Sequence, residues 1–472
     1  MSDKIGRDMF VTTEDHRLTP ESMVAIHETV MEYASSVSIH DRYVIQRDFG
    51  RVVATSDVHA DLRKFVQVLV SAGLLSRGGR TERGSGGRTE RGSEMEDDPY
   101  EYVWTLEWVA DDTMLMITGD LVDGRRGLRT VDDPRGSYEM LLHILIFNLR
   151  IDARKRNSDV LFTIGNHDLY SVLLPRAFTD HALWRSYTDE RHVQFAPEGD
   201  GDAWDRRAEM LAPFYLCSPY LLVRLGSVLF VHGGLLDKPN VMRGNKGANI
   251  YEMTRRAQER IHERMTGPIG PIGPIGPIAH GPSGPSGPHG LLIAMREAIR
   301  EYTDYMCSAE SGLQCANVTE ARGYADLKRE DICTNSETQR LVHGEKVTLV
   351  VVGHCLTRIL KERTIDEDGE EEGTVEAMRA ECKSSAGGDS KAGCVAYVKC
   401  PRHMTDALTV AFVDVAMSQC FRVDSANNTR LVEVLEMTRV HEERDVRGHG
   451  AGVWYTVGAR TIGNTRGFTV HV

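Results

Sequence analysis

The stretch D-V-L-F-T-I-G-N-H-D, residues 159–168, joins an apolar run of strand length to a cluster of Asn, His and Asp. Four other stretches repeat this pattern: R-V-V-A-T-S-D-V-H (51–59), T-M-L-M-I-T-G-D (113–120), S-V-L-F-V-H-G-G (227–234) and V-T-L-V-V-V-G-H (347–354). Buried strands read as continuous Val, Ile and Leu, and in open α/β sheets ligand groups gather at the carboxyl ends of the strands. We therefore predict an α/β fold in which the five polar clusters converge.

Amphipathic stretches separate these runs where crossover helices are expected. Residues 61–75 form one such stretch, and residues 138–150 form another. The apolar face predicted for the first consists of Leu62, Phe65, Val66, Leu69 and Val70. Residues 21–35 carry apolar side chains at helical spacing and predict an N-terminal helix. Strands alternating with helices indicate βαβ units on a largely parallel sheet.

The net charge, the cysteines and the hydropathy of the chain argue against several classes of protein. The 472 residues carry a formal net charge of -13, which argues against a general nucleic-acid binder, because such proteins need a positive surface. The nine cysteines are odd in number and include no C-x-x-C pair, so neither a disulfide framework nor a zinc knuckle is indicated. No signal peptide or membrane-spanning stretch is recognisable. We expect a soluble intracellular, cytoplasmic protein without a membrane partner.

Low-complexity segments interrupt the chain and suggest its division. Residues 267–290 contain seven Gly-Pro triplets, which resemble collagen, but a triple helix needs three chains, so a polyproline-like spacer is favoured. These insertions could also recruit a protein partner. The predicted division is an N-terminal helical extension (1–40), a catalytic domain (41–440) with a low-complexity insertion (76–99), a helical cap insertion (236–345) and an acidic Gly/Ser loop (365–393), and a C-terminal extension (441–472).

The polar clusters contain residues that could hold metal ions. Asp57 and His59 lie two apart, so on a strand both side chains point the same way. The carboxylate of Asp120 can bridge two metals, which an imidazole nitrogen cannot do. Each residue alone also fits a turn, a helix cap or a buried loop position. Together the candidate ligands supply N and O donors without thiolate, which suits Mn, Fe or Zn: Asp57, His59, Asp120, Asn166, His232 and His354.

Two further residues of the G-N-H-D cluster suggest acid catalysis. His167 can donate a proton near physiological pH, and Asp168 could hold that imidazole in orientation. Protonation of a leaving alkoxide by such a histidine is typically worth about 10² to 10⁴ in rate.

The motifs S-D-V-H-A-D, G-D-L-V-D, G-N-H-D, V-H-G-G-L and V-V-G-H, in this order, resemble the calcineurin-like metallophosphoesterase superfamily. More narrowly, they resemble the phosphoprotein phosphatase family and its bacterial-like, Shewanella-type branch. The resemblance implies a metallophosphoesterase-type βαβ sandwich of two mixed sheets flanked by helices. It also implies that Asp57, His59 and Asp120 bind one metal, and that Asp120 bridges to a second metal, which Asn166, His232 and His354 complete.

Two positions depart from the family pattern. Ala60 stands where the first motif continues with Gly, at a tight turn of the backbone. The second motif normally reads G-D-x-x-D-R-G, but Gly124 occupies the arginine position and Arg125 follows it. The resemblance implies that the arginine of the family motif binds the substrate phosphate. Arg125 could take this role if the turn shifts by one residue.

The predicted function is hydrolysis of a phosphomonoester, as in a serine/threonine-type phosphoprotein phosphatase. Two divalent metal ions, manganese first and iron or zinc as alternatives, would generate hydroxide for in-line attack on phosphorus. A dinucleoside tetraphosphatase is the rival enzyme, because G-D-L-V and G-N-H-D-L resemble that group as well. A phosphatase fold without catalysis, used as a scaffold, is the alternative from another class.

Overall fold

The protein is represented by a computed structural model, and the described residues are 4–6, 9, 20–36, 44–45, 47–77, 103–122, 139–173, 208, 211–215, 220–235, single positions within 251–259 and 293–297, 329–354, 396–400, 408–413, 433–440, 454–461 and 464–471. Arg125, the predicted spacer at 267–290 and the acidic loop at 365–393 lie outside these residues. So does all of the first insertion except positions 76 and 77.

The first sheet has six strands and carries three of the five motifs. Its order is β14-β13-β12-β2-β5-β6, in which β2 pairs parallel with β5, β5 pairs parallel with β6, and the other pairings are antiparallel. The strands are β2 (Arg51–Thr55), β5 (Thr113–Ile117), β6 (Asp159–Phe162), β12 (Glu433–Val440), β13 (Trp454–Thr461) and β14 (Asn464–His471).

The second sheet has six strands and carries the remaining two motifs. Its order is β1-β7-β8-β9-β11-β10, with parallel pairs at β1/β7, β8/β9 and β9/β11 and antiparallel pairs at β7/β8 and β10/β11. The strands are β1 (Val44–Ile45), β7 (Leu222–Leu225), β8 (Val228–Val231), β9 (Leu349–Val352), β10 (Ala396–Lys399) and β11 (Thr409–Phe412). Two mixed sheets confirm the architecture that the resemblance implies. The expectation of a largely parallel sheet is wrong, because five of the ten described strand pairings in these sheets are antiparallel.

Helices lie where the amphipathic stretches predict them. The described helices are α1 (Pro20–Ser36), α2 (Leu62–Ser71), α3 (Glu139–Lys155), α4 (Asn166–Leu173), α5 (Arg329–Thr334) and α6 (Ser336–His343), and a two-stranded ribbon joins β3 (Leu75–Arg77) to β4 (Leu106–Trp108). The N-terminal helix and both crossover helices are confirmed. The prediction for Val70 is wrong: its side chain is 41% exposed, because the buried arc of α2 is shifted towards Val68.

One hydrophobic cluster unites the two sheets. It contains the fully buried Val52 and Leu115 of the first sheet together with Phe230 and Val350 of the second. Strands buried on both faces explain the continuous apolar runs of the motifs. Within the described part of the chain, none of the helices has the length and apolar character needed to span a bilayer.

A disulfide links Cys333 of α5 to Cys400, the residue after β10. The expectation that the cysteine pattern indicates no disulfide is wrong for this pair, because spacing in sequence says nothing about two residues that folding brings to a Cα distance of 5.5 Å. The pair closes a separation of 67 residues and ties the end of the predicted cap insertion to the second sheet.

We predict that the Cys333–Cys400 bond stabilises the fold by roughly 2 to 4 kcal/mol, because closing a loop restricts the unfolded chain. Cys333→Ser should lower the melting temperature, and dithiothreitol should lower that of the wild type to a similar extent without affecting the variant further. Peptide mapping without reductant should recover the cross-linked pair. Free thiols at both positions in protein purified without reductant would refute the pairing.

Candidate metal centre

The polar residues of the five motifs follow the carboxyl ends of five strands. Asp57 and His59 follow β2, Asp120 follows β5, and Asn166 begins α4 after β6. His232 and His354 follow β8 and β9 of the second sheet. Strands from both sheets therefore deliver side chains to one place, as the sequence predicts.

Asp120 lies at the centre and is completely buried. One oxygen, Oδ1, lies 3.3 Å from His232 Nε2 and accepts a hydrogen bond of 2.9 Å from the His167 backbone N–H. The other oxygen, Oδ2, lies 3.8 Å from His59 Nε2 and 3.9 Å from His167 Nε2. Among the described residues Oδ2 has no hydrogen-bond partner, and an uncompensated buried carboxylate oxygen is costly.

Two groups of side chains around Asp120 could each hold a metal ion. The first consists of His59, Asp120 and His167, and the second of Asp120, His232 and His354, with the donor atoms of each group within 4.8 Å of one another. Asp120 belongs to both groups, one carboxylate oxygen being available to each side. The donors are imidazole nitrogen and carboxylate oxygen, a set that fits divalent Mn, Fe or Zn. A cation bound beside Asp120 would satisfy its buried Oδ2, which has no hydrogen-bond partner among the described residues.

Backbone carbonyls orient two of the imidazoles. His59 Nδ1–H donates to the Val122 carbonyl at 3.1 Å, and His232 Nδ1–H donates to the Thr118 carbonyl at 2.5 Å. A carbonyl oxygen can only accept a hydrogen bond, so Nδ1 carries a proton in both rings. The other ring nitrogen, Nε2, faces Asp120. This arrangement, with the second ring nitrogen held by a backbone acceptor, is common for metal-binding histidines.

Asp57 and Asn166 join the two sheets at the centre. Asp57 Oδ2 accepts hydrogen bonds from the His354 backbone N–H at 3.0 Å and from the Ser56 hydroxyl, while its Oδ1 lies 3.8 Å from His59 Nε2. Asn166 Oδ1 lies 3.1 Å from His232 Nε2. Asp57 therefore lies beside His59, and Asn166 beside His232, as the two predicted sets of metal ligands require.

The charges at this centre shift the pKa values of Asp120 and His232 in opposite directions. Burial alone would raise the pKa of Asp120, but His232, His167 and His59 lower that pKa well below its ordinary value. Burial would lower the pKa of His232, yet Asp120 and Asp57 raise it to about 10. The carboxylates of Asp120 and Asp57 therefore favour positive charge at His232.

The backbone is strained at the predicted ligands. Asp57 (φ 51°), His59 (φ 45°), Asp120 (φ 54°) and His354 (φ 57°) all adopt the left-handed region, which is unfavourable for residues with a Cβ. Ala60, which stands at the glycine position of the family motif, does so as well, with a φ of 55° that glycine adopts without strain. Strain of this kind clusters at functional sites, where the surrounding fold imposes it.

Asp168 has different partners from the ones predicted. Its carboxylate accepts hydrogen bonds from the backbone N–H groups of Gly165, Asp120 and Leu121 at 2.8 to 2.9 Å and from the Tyr215 hydroxyl at 3.1 Å. Burial and the nearby Asp120 raise the pKa of Asp168 to about 6. We correct the predicted pairing with the His167 imidazole: Asp168 holds the loop of Asp120 instead.

His167 lies beside the predicted metal ligands. It is 8% exposed, and its ring packs edge-on against that of His59, with the ring centroids 4.9 Å apart. Sequence reasoning missed Tyr215, since no motif marks it. Arg125 lies outside the described residues, and its role stays a prediction.

Comparisons with known proteins point in one direction. Residues 50–354 match the family model of the calcineurin-like phosphoesterases. A curated relative, Shewanella-like protein phosphatase 1 of Plasmodium berghei (strain Anka), is 22% identical over 205 residues, and the match spans 42% of this chain and 42% of the relative's length. Its name is that of the branch which the motifs resemble.

Solved structures give weaker likenesses. A cold-active protein-tyrosine phosphatase of a psychrophilic Shewanella species is 12% identical, with a TM-score of 0.38 and coverage of 89% of this chain and 82% of that chain. A protein serine/threonine phosphatase from Saccharomyces cerevisiae with similarity to human phosphatase PP5 is 11% identical, with a TM-score of 0.35 and coverage of 88% and 82%.

We predict that Gly165→Ala disrupts the centre, because the added Cβ would lie 2.2 Å from Asp120 Oδ1 and 2.3 Å from its backbone nitrogen. Affinity for manganese, measured by calorimetry, should fall by about 10-fold or more. The control is Gly226→Ala in the β7–β8 turn, where φ is +56° and the space is open. That variant should lose about 1 kcal/mol of stability through backbone strain and keep its metal affinity. Equal affinities for the two variants would contradict the geometry.

Proposed function

Because the chain belongs to the calcineurin-like phosphoesterase family, we propose that it is a metal-dependent phosphatase with a dinuclear centre. Asp57, His59 and Asp120 would hold one divalent ion. Asp120, Asn166, His232 and His354 would hold the second. The observation that carries this proposal is the buried carboxylate of Asp120, whose Oδ1 lies 3.3 Å from His232 Nε2 and whose Oδ2 lies 3.8 Å from His59 Nε2.

The residues around Asp120 have separate tasks in this proposal. Bound cations would acidify an attacking water and offset the negative charge that develops on the phosphate oxygens. His167, whose side chain keeps 10% exposure, would protonate the leaving alkoxide. The backbone carbonyls of Val122 and Thr118 keep His59 and His232 oriented. Arg125 would bind the substrate phosphate.

The substrate class proposed is a phosphomonoester, with phosphoserine or phosphothreonine in proteins as the first choice. The curated relative is named a protein phosphatase, which supports this choice, although it is aligned over only 42% of its length. Manganese is the first candidate metal, and iron and zinc fit the same donors.

The insertion at 236–345 is proposed to form a cap that shapes substrate choice. Gln258 anchors it to the second sheet, because the Leu221 and Leu222 N–H groups donate to Gln258 Oε1 at 2.9 and 3.0 Å. Within the insertion, the Tyr251 N–H donates to Glu337 Oε1 at 3.0 Å. These contacts would hold the cap in a fixed position on the second sheet.

Protein stripped of metal should regain hydrolysis of p-nitrophenyl phosphate when manganese is added. His167→Ala should lose about 10² to 10⁴ in turnover and keep its metal, because it removes the proton donor. Asp120→Asn should lose both metal and turnover.

The matched control is His343→Ala, which removes an exposed histidine on α6 that contacts Gln339. It should behave as the wild type. Full metal content in Asp120→Asn would refute the bridging role, and a wild type that binds metal but hydrolyses nothing would favour the scaffold alternative.

A phosphopeptide and a dinucleoside tetraphosphate, assayed with the same manganese-loaded protein, should separate the two enzyme classes. We expect a higher kcat/KM for the phosphopeptide. A preference for the dinucleotide would reverse the assignment of substrate without affecting the metal centre.

A further inference from the structure

The carboxylate of Asp168 accepts hydrogen bonds from the loop that carries Asp120. Its Oδ2 accepts the N–H groups of Asp120 at 2.8 Å and Gly165 at 2.9 Å, and its Oδ1 accepts those of Leu121 at 2.9 Å and Val122 at 3.4 Å. Asp168 is completely buried. A carboxylate removed from water needs such donors, and these four come from the two loops that follow β5 and β6.

Tyr215 supplies a further donor to this carboxylate. Its hydroxyl lies 3.1 Å from Asp168 Oδ1, and among the described contacts of Asp168 it is the one made by a side chain. Tyr215 is completely buried, and its ring packs edge-on against His143 and Phe162 at centroid distances of 5.5 and 5.8 Å. The aromatic neighbours fix the ring and thereby the direction of the hydroxyl.

We propose that Tyr215 is a positioning residue for the metal centre. The chain of contacts runs from the Tyr215 hydroxyl to Asp168 Oδ1, then to the Val122 N–H. The carbonyl of the same residue, Val122, accepts the Nδ1–H of His59. A shift of Asp168 therefore reaches the predicted ligand His59 through the single residue Val122, and it reaches Asp120 through the N–H that Oδ2 accepts.

Because the backbone is strained at the predicted ligands, their geometry depends on the hydrogen bonds of Asp168 and Tyr215. Asp120 adopts a φ of 54°, which it would leave if its backbone were not held. Hydrogen bonds that orient the groups around a metal typically contribute 10- to 100-fold to its affinity. Tyr215→Phe removes one such bond and keeps the ring, so it should weaken metal binding by about 10-fold or more.

The inference rests on the metal-binding part of the proposed function and not on turnover. The first experiment compares manganese affinity, by calorimetry, of the full-length wild type and Tyr215→Phe. The matched control is Tyr33→Phe, which removes a hydroxyl from a residue of α1 that packs on Phe147. We expect Tyr215→Phe to lose affinity and Tyr33→Phe to bind as the wild type does.

A double-mutant cycle separates positioning from a general contribution to folding. Asp168→Asn should also weaken metal binding, and adding Tyr215→Phe to it should cost little more, because both substitutions break the same path. Tyr33→Phe combined with Asp168→Asn should be additive. Wild-type affinity in Tyr215→Phe, additive losses in the cycle, or a Tyr215→Phe protein that does not fold would each overturn the proposal.

The same measurements keep this proposal distinct from the proposed function. A wild type that binds manganese but lacks phosphatase activity would refute the enzyme and leave the Tyr215 test intact. A wild type that binds no manganese would refute both.

Discussion

A buried carboxylate surrounded by imidazoles from both sheets is the interaction on which the rest of the structure depends. Asp120 is fully buried, and three histidine nitrogens lie between 3.3 and 3.9 Å from its oxygens. Such a group is tolerated only where positive charge or hydrogen bonds compensate it. The packing of the two sheets supplies part of this compensation, because it brings His232 after β8 to Asp120 after β5.

The fold supports this arrangement at a conformational cost. Four predicted ligands adopt left-handed backbone angles, and Gly353 leaves room where a Cβ would meet Ser56 Oγ, the Thr118 carbonyl and Asp57 Oδ2 at 2.0 to 2.9 Å. The hydrogen bonds of Asp168 hold the loop in this conformation. Local strain and close packing of this kind fit a site selected for geometry rather than for stability.

The sequence was sufficient to predict the five strand ends and the residues that meet there. It was sufficient because a buried strand leaves a continuous apolar run and because parallel strands present their carboxyl ends at the same edge. Contacts between distant segments could not be predicted in this way. Asp168 bonds to a loop 48 residues earlier in the chain, Tyr215 follows no motif, and Cys333 pairs with Cys400 across 67 residues. Such contacts depend on tertiary packing, which leaves no local pattern.

Diffraction from manganese-soaked crystals, recorded at the manganese absorption edge, would test the central claim most directly. We predict two anomalous peaks on opposite sides of the Asp120 carboxylate, one beside Asp57 and His59 and the other beside His232 and His354. A single peak, or two peaks that do not share Asp120, would contradict the assignment of a bridged dinuclear centre.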